Sequence, residues 1–229
     1  MHRLEIRASQ SLQVREVCLA QNGRDDKTVI LYASDLHLAR GTEHIAEQLC
    51  AAVESVRPQI VLLGGDLADT QAGLPLLADV IHNMSRICPV WAISGNHDQV
   101  LGIEWVQRCV ERAGGCWLDG ESCNFNGIQI DGCCRPVENH FSILCAHDPA
   151  IFPQAARYGY DLVLAGHLHG SQCVLLKRGD LLYPGALFFS WNGEQFQQGK
   201  STMIVSRGVN DTLPVRWNCP REVILCKIG

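Results

Sequence analysis

Three times in the first hundred residues a short apolar run stops abruptly at acidic, amide or imidazole side chains: VILYASDLH at 29–37, QIVLLGGD at 59–66 and PVWAISGNHD at 89–98. Aliphatic, β-branched runs of this length, without alternation and bounded by glycine, are strands buried on both faces. The spacing between them is helical. Ile45, Leu49, Ala52, Val53 and Val56 follow Thr42 as an N-cap and stop before Pro58, while Leu74, Leu77, Ile81 and Met84 share one face of a second helix. Strands alternating with helices imply a parallel sheet with helices on its faces.

A helix near 102–113 precedes a change of texture. FNGIQIDG (125–132), FSILCAHD (141–148), DLVLAGHLHG (161–170), CVLLKRGD (173–180), TMIVSRG (202–208) and EVILCKI (222–228) read as short strands, and the polar GEQFQQGK (193–200) reads as a surface loop. No repeat, low-complexity tract or long linker divides the 229 residues, so the expectation is one α/β domain over 1–229.

A formal charge of −5 and a pI near 6.0 exclude a broad basic footprint, and no nucleic-acid partner is expected. No segment approaches the roughly 18–20 apolar residues that span a bilayer, and the opening MHRLEIRASQSLQVRE lacks the apolar run of a signal peptide. A cytoplasmic location follows. Twelve cysteines without a CxxC pair, in a chain large enough to need no staples, read as reduced, mostly small core fillers such as Cys50 and Cys145.

The polar residues that end the strands form a series: Asp35 and His37, Asp66, Asn96 with His97 and Asp98, His147, then His167 and His169. In α/β sheets ligands gather beyond the carboxyl ends of strands, so these five loops can meet in one crevice. Imidazole nitrogens with carboxylate and amide oxygens are ligands for borderline divalent metals, and pooled they suffice for two ions. Asp66, from the middle strand, is the candidate bridge; His167 and His169 can each serve a different ion, with Gly166 and Gly170 freeing the backbone to turn. Any one of these residues is as well read as a hydrogen-bonded structural group. Five polar clusters, each ending a strand, are costly to explain singly. His2, His44, His82 and His140 lack such a setting and read as ordinary surface or structural residues; Asp69 reads as an N-cap or an outer-layer group, and Asp148 as a turn residue.

The ordered blocks D-x-H, G-D, G-N-H-D, H and G-H-x-H over 29–170 resemble the calcineurin-like metallophosphoesterases. GHLHGSQ, YPG (183–185), VSRG (205–208) and the final PREVILCKI are similar to a bacterial subgroup containing membrane-associated phosphoesterases and UDP-2,3-diacylglucosamine pyrophosphatases. The resemblance implies an α/β four-layer sandwich: two mixed β-sheets flanked by helices. It implies that Asp35, His37 and His169 hold one divalent ion, that Asn96, His147 and His167 hold the other, and that Asp66 is shared. Manganese or iron is the expected occupant, with zinc a third option. A hydroxide bridging the ions then attacks a phosphomonoester, phosphodiester or pyrophosphate. His97 stabilises the charge or protonates the leaving group, and Asp98 orients His97. The implied partner is a small phosphorylated substrate, with a nucleotide-linked lipid as the narrower reading, which would bring peripheral contact with the inner membrane face.

Arg135, in DGCCRPVENH (131–140), is a candidate to reach a substrate phosphate, against the plainer reading of a solvated loop arginine. LFFSW (187–191) can hold an acyl chain or nucleobase, against the plainer reading of core. A retromer subunit of the same fold is a protein-binding scaffold that lacks the catalytic histidine. Here His97 is retained, which favours an enzyme.

Overall fold

Each of the three apolar runs becomes a strand shielded on both faces, by helices on one side and a second sheet on the other. The computed structural model describes residues 4–6, 11–19, 27–137 and 140–229. Its first half runs β1 (Leu4–Ile6), β2 (Gln13–Leu19), β3 (Thr28–Ala33), α1 (Glu43–Val56), β4 (Ile60–Gly64), α2 (Leu74–Ser85), β5 (Val90–Ile93), α3 (Asn96–Leu101), α4 (Ile103–Arg112) and β6 (Cys116–Trp117). Then follow β7 (Ser122–Phe125), β8 (Ile128–Asp131), β9 (Ser142–Cys145), α5 (Phe152–Tyr158), β10 (Leu162–Ala165), β11 (Val174–Arg178), β12 (Leu181–Pro184), β13 (Gln195–Gln198), β14 (Ser201–Val205), β15 (Val215–Trp217) and β16 (Glu222–Ile228).

One six-stranded sheet has the order β2-β16-β3-β4-β5-β6, in which β3 to β6 are parallel neighbours and β16 runs antiparallel to β3. The other has the order β13-β14-β10-β9-β8-β7, parallel at its centre and antiparallel at both edges. Alternation along each strand divides the apolar side chains between cores. In β3, Ile30 and Tyr32 join Leu62, Ile143, Leu164 and Ile224 between the sheets, while Leu31 and Ala33 pack beneath α1, α2 and α4 with Leu49, Ile81 and Val106. On the far side Phe152 and Ala155 of α5 cover Val163 and Met203. Helices, sheet, sheet, helix: the α/β four-layer sandwich of two mixed sheets is the observed fold.

Several local expectations change. GEQFQQGK contains β13, an edge strand paired with β14, because backbone pairing needs no apolar side chains. FNGIQIDG is a hairpin turn and one strand: Asn126 and Gly127 both take positive φ, as a two-residue turn between twisted strands requires. Thr42 precedes α1, but its hydroxyl accepts from Ala39 N at 3.0 Å instead of a helix amide. The GNHD segment is the first turn of α3 and not a loop. All twelve cysteines are free thiols. Among the described residues no helix is long and apolar enough to cross a membrane. His2 lies outside the described residues.

Candidate metal centre

Parallel neighbours end on the same side, so β3, β4 and β5 deliver the loops after residues 33, 64 and 93 to one edge of their sheet, as β9 and β10 do in theirs. The loops are then laced together. Asp35 N donates to Gly65 O at 3.0 Å and His37 N to Asp66 O at 2.9 Å. Across the sheets, Tyr32 Oη donates to Ala146 O at 3.1 Å, just ahead of His147, and His167 N donates to Asp35 Oδ1 at 3.0 Å. His97 N donates to Asp66 Oδ1 at 2.8 Å. That approach needs Gly95, where a Cβ would stand 2.1 Å from the same oxygen. Gly166 serves space as well, not turning: its φ is ordinary, and a Cβ there would sit 2.5 Å from Asp35 Oδ2.

The lacing brings Asp35, His37 and His169 into one group and Asp66, His147 and His167 into another, with one donor atom from each residue within 4.8 Å of the others in its group. Asn96 Oδ1 is 3.0 Å from His147 Nε2, so it joins the second group. Asp66 Oδ2 lies 3.3 Å from His147 Nε2 and 3.9 Å from His37 Nε2, between the two. The tautomers follow from the partners. His147 Nδ1 must donate to the Gly64 carbonyl at 2.9 Å, and His37 Nδ1 to the Asp69 carboxylate at 2.7 Å. Each neutral ring therefore turns a bare Nε2 inward. There His37 Nε2 meets His169 Nε2 at 3.2 Å, and His147 Nε2 meets His167 Nδ1 at 3.1 Å. Lone pairs this close need a proton or a cation between them, and nitrogen with carboxylate oxygen suits borderline divalent ions.

Without a cation, protons take up the strain. Burial opposes a charge on His147, but the Asp66 carboxylate beside it carries the imidazole up to about 9. Burial likewise works against ionised Asp66, and His147 draws it down to about 2. His169 goes the other way, as burial lowers it to about 4 and keeps it neutral. The backbone is also loaded. Asp35, His37, Asp66, His167 and His169 all have φ between 43° and 70°, a region costing side-chain-bearing residues about 1 kcal/mol or more each.

His97 stands beside this cluster with its side chain 40% exposed, and its Nδ1 contacts Asp69 Oδ1 at 2.9 Å. The same Asp69 oxygen holds His37 Nδ1, so one carboxylate orients both rings. The expectation that Asp98 orients His97 is therefore corrected. Asp98 is fully buried and accepts from Leu67 N, Ala68 N and Gly95 N at 2.9–3.2 Å, pinning α3 to the loop after β4. Arg135 is corrected too: it donates to Gly120 O at 2.6 Å and does not line the cleft over the cluster. Asp119, which the sequence reading missed, follows the two-residue β6 and accepts from Ser94 N at 3.0 Å. In LFFSW, the core reading holds for the half-buried Trp191, packed at right angles between Phe152 and Phe196, but Leu187, Phe188 and Phe189 are exposed.

The cleft over the cluster has a volume of ≈ 320 Å³, and beyond the candidate ligands and His97 its wall is Leu168, Ser171, Gln172, Phe189, Thr212 and Leu213. Residues 29–206 match the calcineurin-like phosphoesterase superfamily domain. The chain is 31% identical over 172 residues to an uncharacterized metallophosphoesterase of Bacillus subtilis, YkoQ, covering 64% of this chain and 62% of that relative, less than two thirds of its length. It is 25% identical over 229 residues to the Escherichia coli phosphodiesterase YaeI, covering 87% of this chain and 81% of the relative. Among solved structures, TT1561 of Thermus thermophilus superposes with a TM-score of 0.55 at 13% identity, covering 80% of this chain and 91% of that one, a likeness of fold.

Proposed function

Because the chain belongs to the calcineurin-like phosphoesterase superfamily, we propose that it hydrolyses a small phosphoester, taking Asp35, His37 and His169 as ligands of one divalent ion, Asn96, His147 and His167 as ligands of a second, and Asp66 as the ligand they share. The observation that carries the proposal is the meeting of bare imidazole nitrogens and carboxylate oxygens around Asp66. When bound, such an ion pair supplies Lewis acidity at the phosphoryl oxygens and an activated water for in-line attack. Manganese or iron is the occupant favoured, zinc the next.

The chain's own residues do the rest. With Nδ1 held by Asp69, His97 keeps Nε2 for the substrate, where it hydrogen-bonds a phosphoryl oxygen or gives a proton to the leaving oxygen. Asp98 fixes the start of α3 and with it the placement of Asn96 and His97. The E. coli relative named a phosphodiesterase supports including diesters alongside monoesters. The narrower reading, a nucleotide-linked lipid such as UDP-2,3-diacylglucosamine, offers acyl chains to the exposed Leu187 and Phe188 but carries a second phosphate for which no lysine or arginine lines the cleft among the described residues. The half-exposed His97, held by Asp69, favours this reading over a scaffold that only binds proteins.

The test incubates manganese-loaded protein with nitrophenyl phosphate mono- and diesters, cyclic and linear nucleotides and UDP-diacylglucosamine. Turnover of at least one that a chelator abolishes is expected. Two ions bound per chain, with every ester left intact, would refute the assignment.

A further inference from the structure

The cleft's lining combines the polar candidate ligands with large apolar side chains. Leu168, Phe189 and Leu213 line it together with the candidate ligands Asp66, Asn96, His167 and His169. Phe189 is 52% exposed and Leu213 64%, and Leu187 and Phe188 extend the patch outward at 70% and 78%. A single exposed leucine means little, but a cluster of large apolar side chains at the mouth of a polar site marks a binding surface.

These side chains are held in place. The turn 169–172, which carries His169, fixes both apolar loops. Ser171 Oγ contacts Asn192 Oδ1 at 3.2 Å, and buried Asn192 donates from Nδ2 to Leu182 O at 2.7 Å, which anchors the end of the 185–191 segment. Phe189 N in turn donates to Gly185 O at 2.9 Å. On the other flank the buried Gln172 clamps the second loop: Oε1 accepts from Leu213 N at 2.9 Å and from Thr212 Oγ1 at 2.6 Å, and Nε2 donates to Leu213 O at 2.7 Å. One turn thus sets the distance from the imidazoles to the apolar wall.

Charge decides what the wall can take. No lysine or arginine lines the cleft among the described residues. The neighbouring guanidinium groups are committed: Arg216 is buried against Asp211, Asn210 O and Arg207 O, and Arg207 is paired with Glu222. A second phosphate beyond the one at the metals would meet aliphatic and aromatic carbon and no counter-charge.

We propose that Leu168, Phe189 and Leu213 form a specificity wall that selects phosphoesters carrying one bulky apolar substituent, aryl or acyl, over compact or multiply phosphorylated ones. This rests on the phosphoesterase reading above. The test measures, by calorimetry, the binding of methyl-, phenyl- and octylphosphonate and of pyrophosphate to manganese-loaded protein; these share a phosphoryl head and need no turnover. Octyl- or phenylphosphonate is expected to bind at least tenfold more tightly than methylphosphonate, and pyrophosphate to gain nothing over methylphosphonate. Preference for phenyl marks an aryl substituent, and preference for octyl an acyl one. The Phe189→Ser/Leu213→Ser double variant, altered only at exposed positions, is expected to lose that advantage. Equal affinity of all phosphonates, an advantage that survives the double variant, or tighter binding of pyrophosphate would overturn the wall. So would an octyl preference that appears only with phospholipid vesicles, which would give the patch to a membrane surface. Failure of every phosphonate to bind would instead strike the phosphoesterase reading itself.

Discussion

Removing the Asp69 carboxylate tests the site at the point where two histidines depend on one oxygen. Asp69 Oδ1 lies 2.7 Å from His37 Nδ1 and 2.9 Å from His97 Nδ1. A hydrogen bond to a charged group contributes about 1.5–3 kcal/mol. Asp69 is a third exposed, so solvent screening favours the lower half of that range. At about 1.4 kcal/mol per tenfold, losing the bond to His97 lowers kcat/KM roughly 10–50-fold, and the transition-state role proposed for His97 requires that the loss fall mostly on kcat. Losing the bond to His37 weakens one ion by about 10–100-fold and leaves the other nearly untouched. Asp69→Ala is therefore expected to show both effects in steady-state kinetics at saturating manganese and in a metal titration. Asp69→Asn keeps an acceptor oxygen without the charge and should lose only about fivefold. An Asp69→Ala enzyme with kcat/KM within twofold of the parent would refute the orienting role. A loss explained wholly by a lowered Tm and a smaller folded fraction would do the same.

His97→Ala is expected to retain both ions by elemental analysis while turnover falls roughly 10²–10⁴-fold, the range for a lost acid–base group; unchanged turnover removes His97 from the chemistry. Asp66→Asn is expected to lose both ions, since one oxygen lies between the two groups, and a variant that still carries two ends the bridging assignment. In metal-free protein the His147 imidazole is raised from 6.5 to about 9, so the stability it gains from Asp66 is complete below pH 6.5 and is lost as pH rises through 9. An ion must displace that proton, so manganese affinity should climb over the same window by up to about tenfold per pH unit, and a flat profile from pH 6 to 9 would contradict it. Glu222, fully buried between Arg15 and Arg207, is expected on mutation to alanine to cost about 3–5 kcal/mol. Thermal melts should register that as a Tm lower by roughly 6–20 °C, and a shift under 3 °C would count against it.

The strands and the residues that end them were legible for one physical reason: a segment covered on both faces cannot carry polar side chains until it emerges, so Asp35, Asp66 and Asn96 announce the emergence themselves. Edge strands carry no such mark. β13 reads QFQQ, and β2 buries only every second side chain partially, so neither rises above a loop in composition. Side-chain direction was equally hidden. Asp98 adjoins His97 in the chain, but neighbours on a helix do not face each other, and the partner came from Asp69 on another loop. Asp119 follows a strand of two residues, too short to leave a pattern. LFFSW was ambiguous because apolar composition is the same in a core and in a binding wall.

The last strand of the chain, β16, occupies an inner place in its sheet, between β2 and β3. Among the described residues β2 pairs with β16 alone, through a continuous register from Glu222 opposite Gln13 to Ile228 opposite Leu19. During synthesis, then, β2 waits without its strand partner until more than two hundred further residues have been made and residues 222–228 have cleared the ribosome. Ribosome-stalled chains halted before residue 222 should be cut by protease near residues 13–19, and chains in which residues 222–228 have emerged should not.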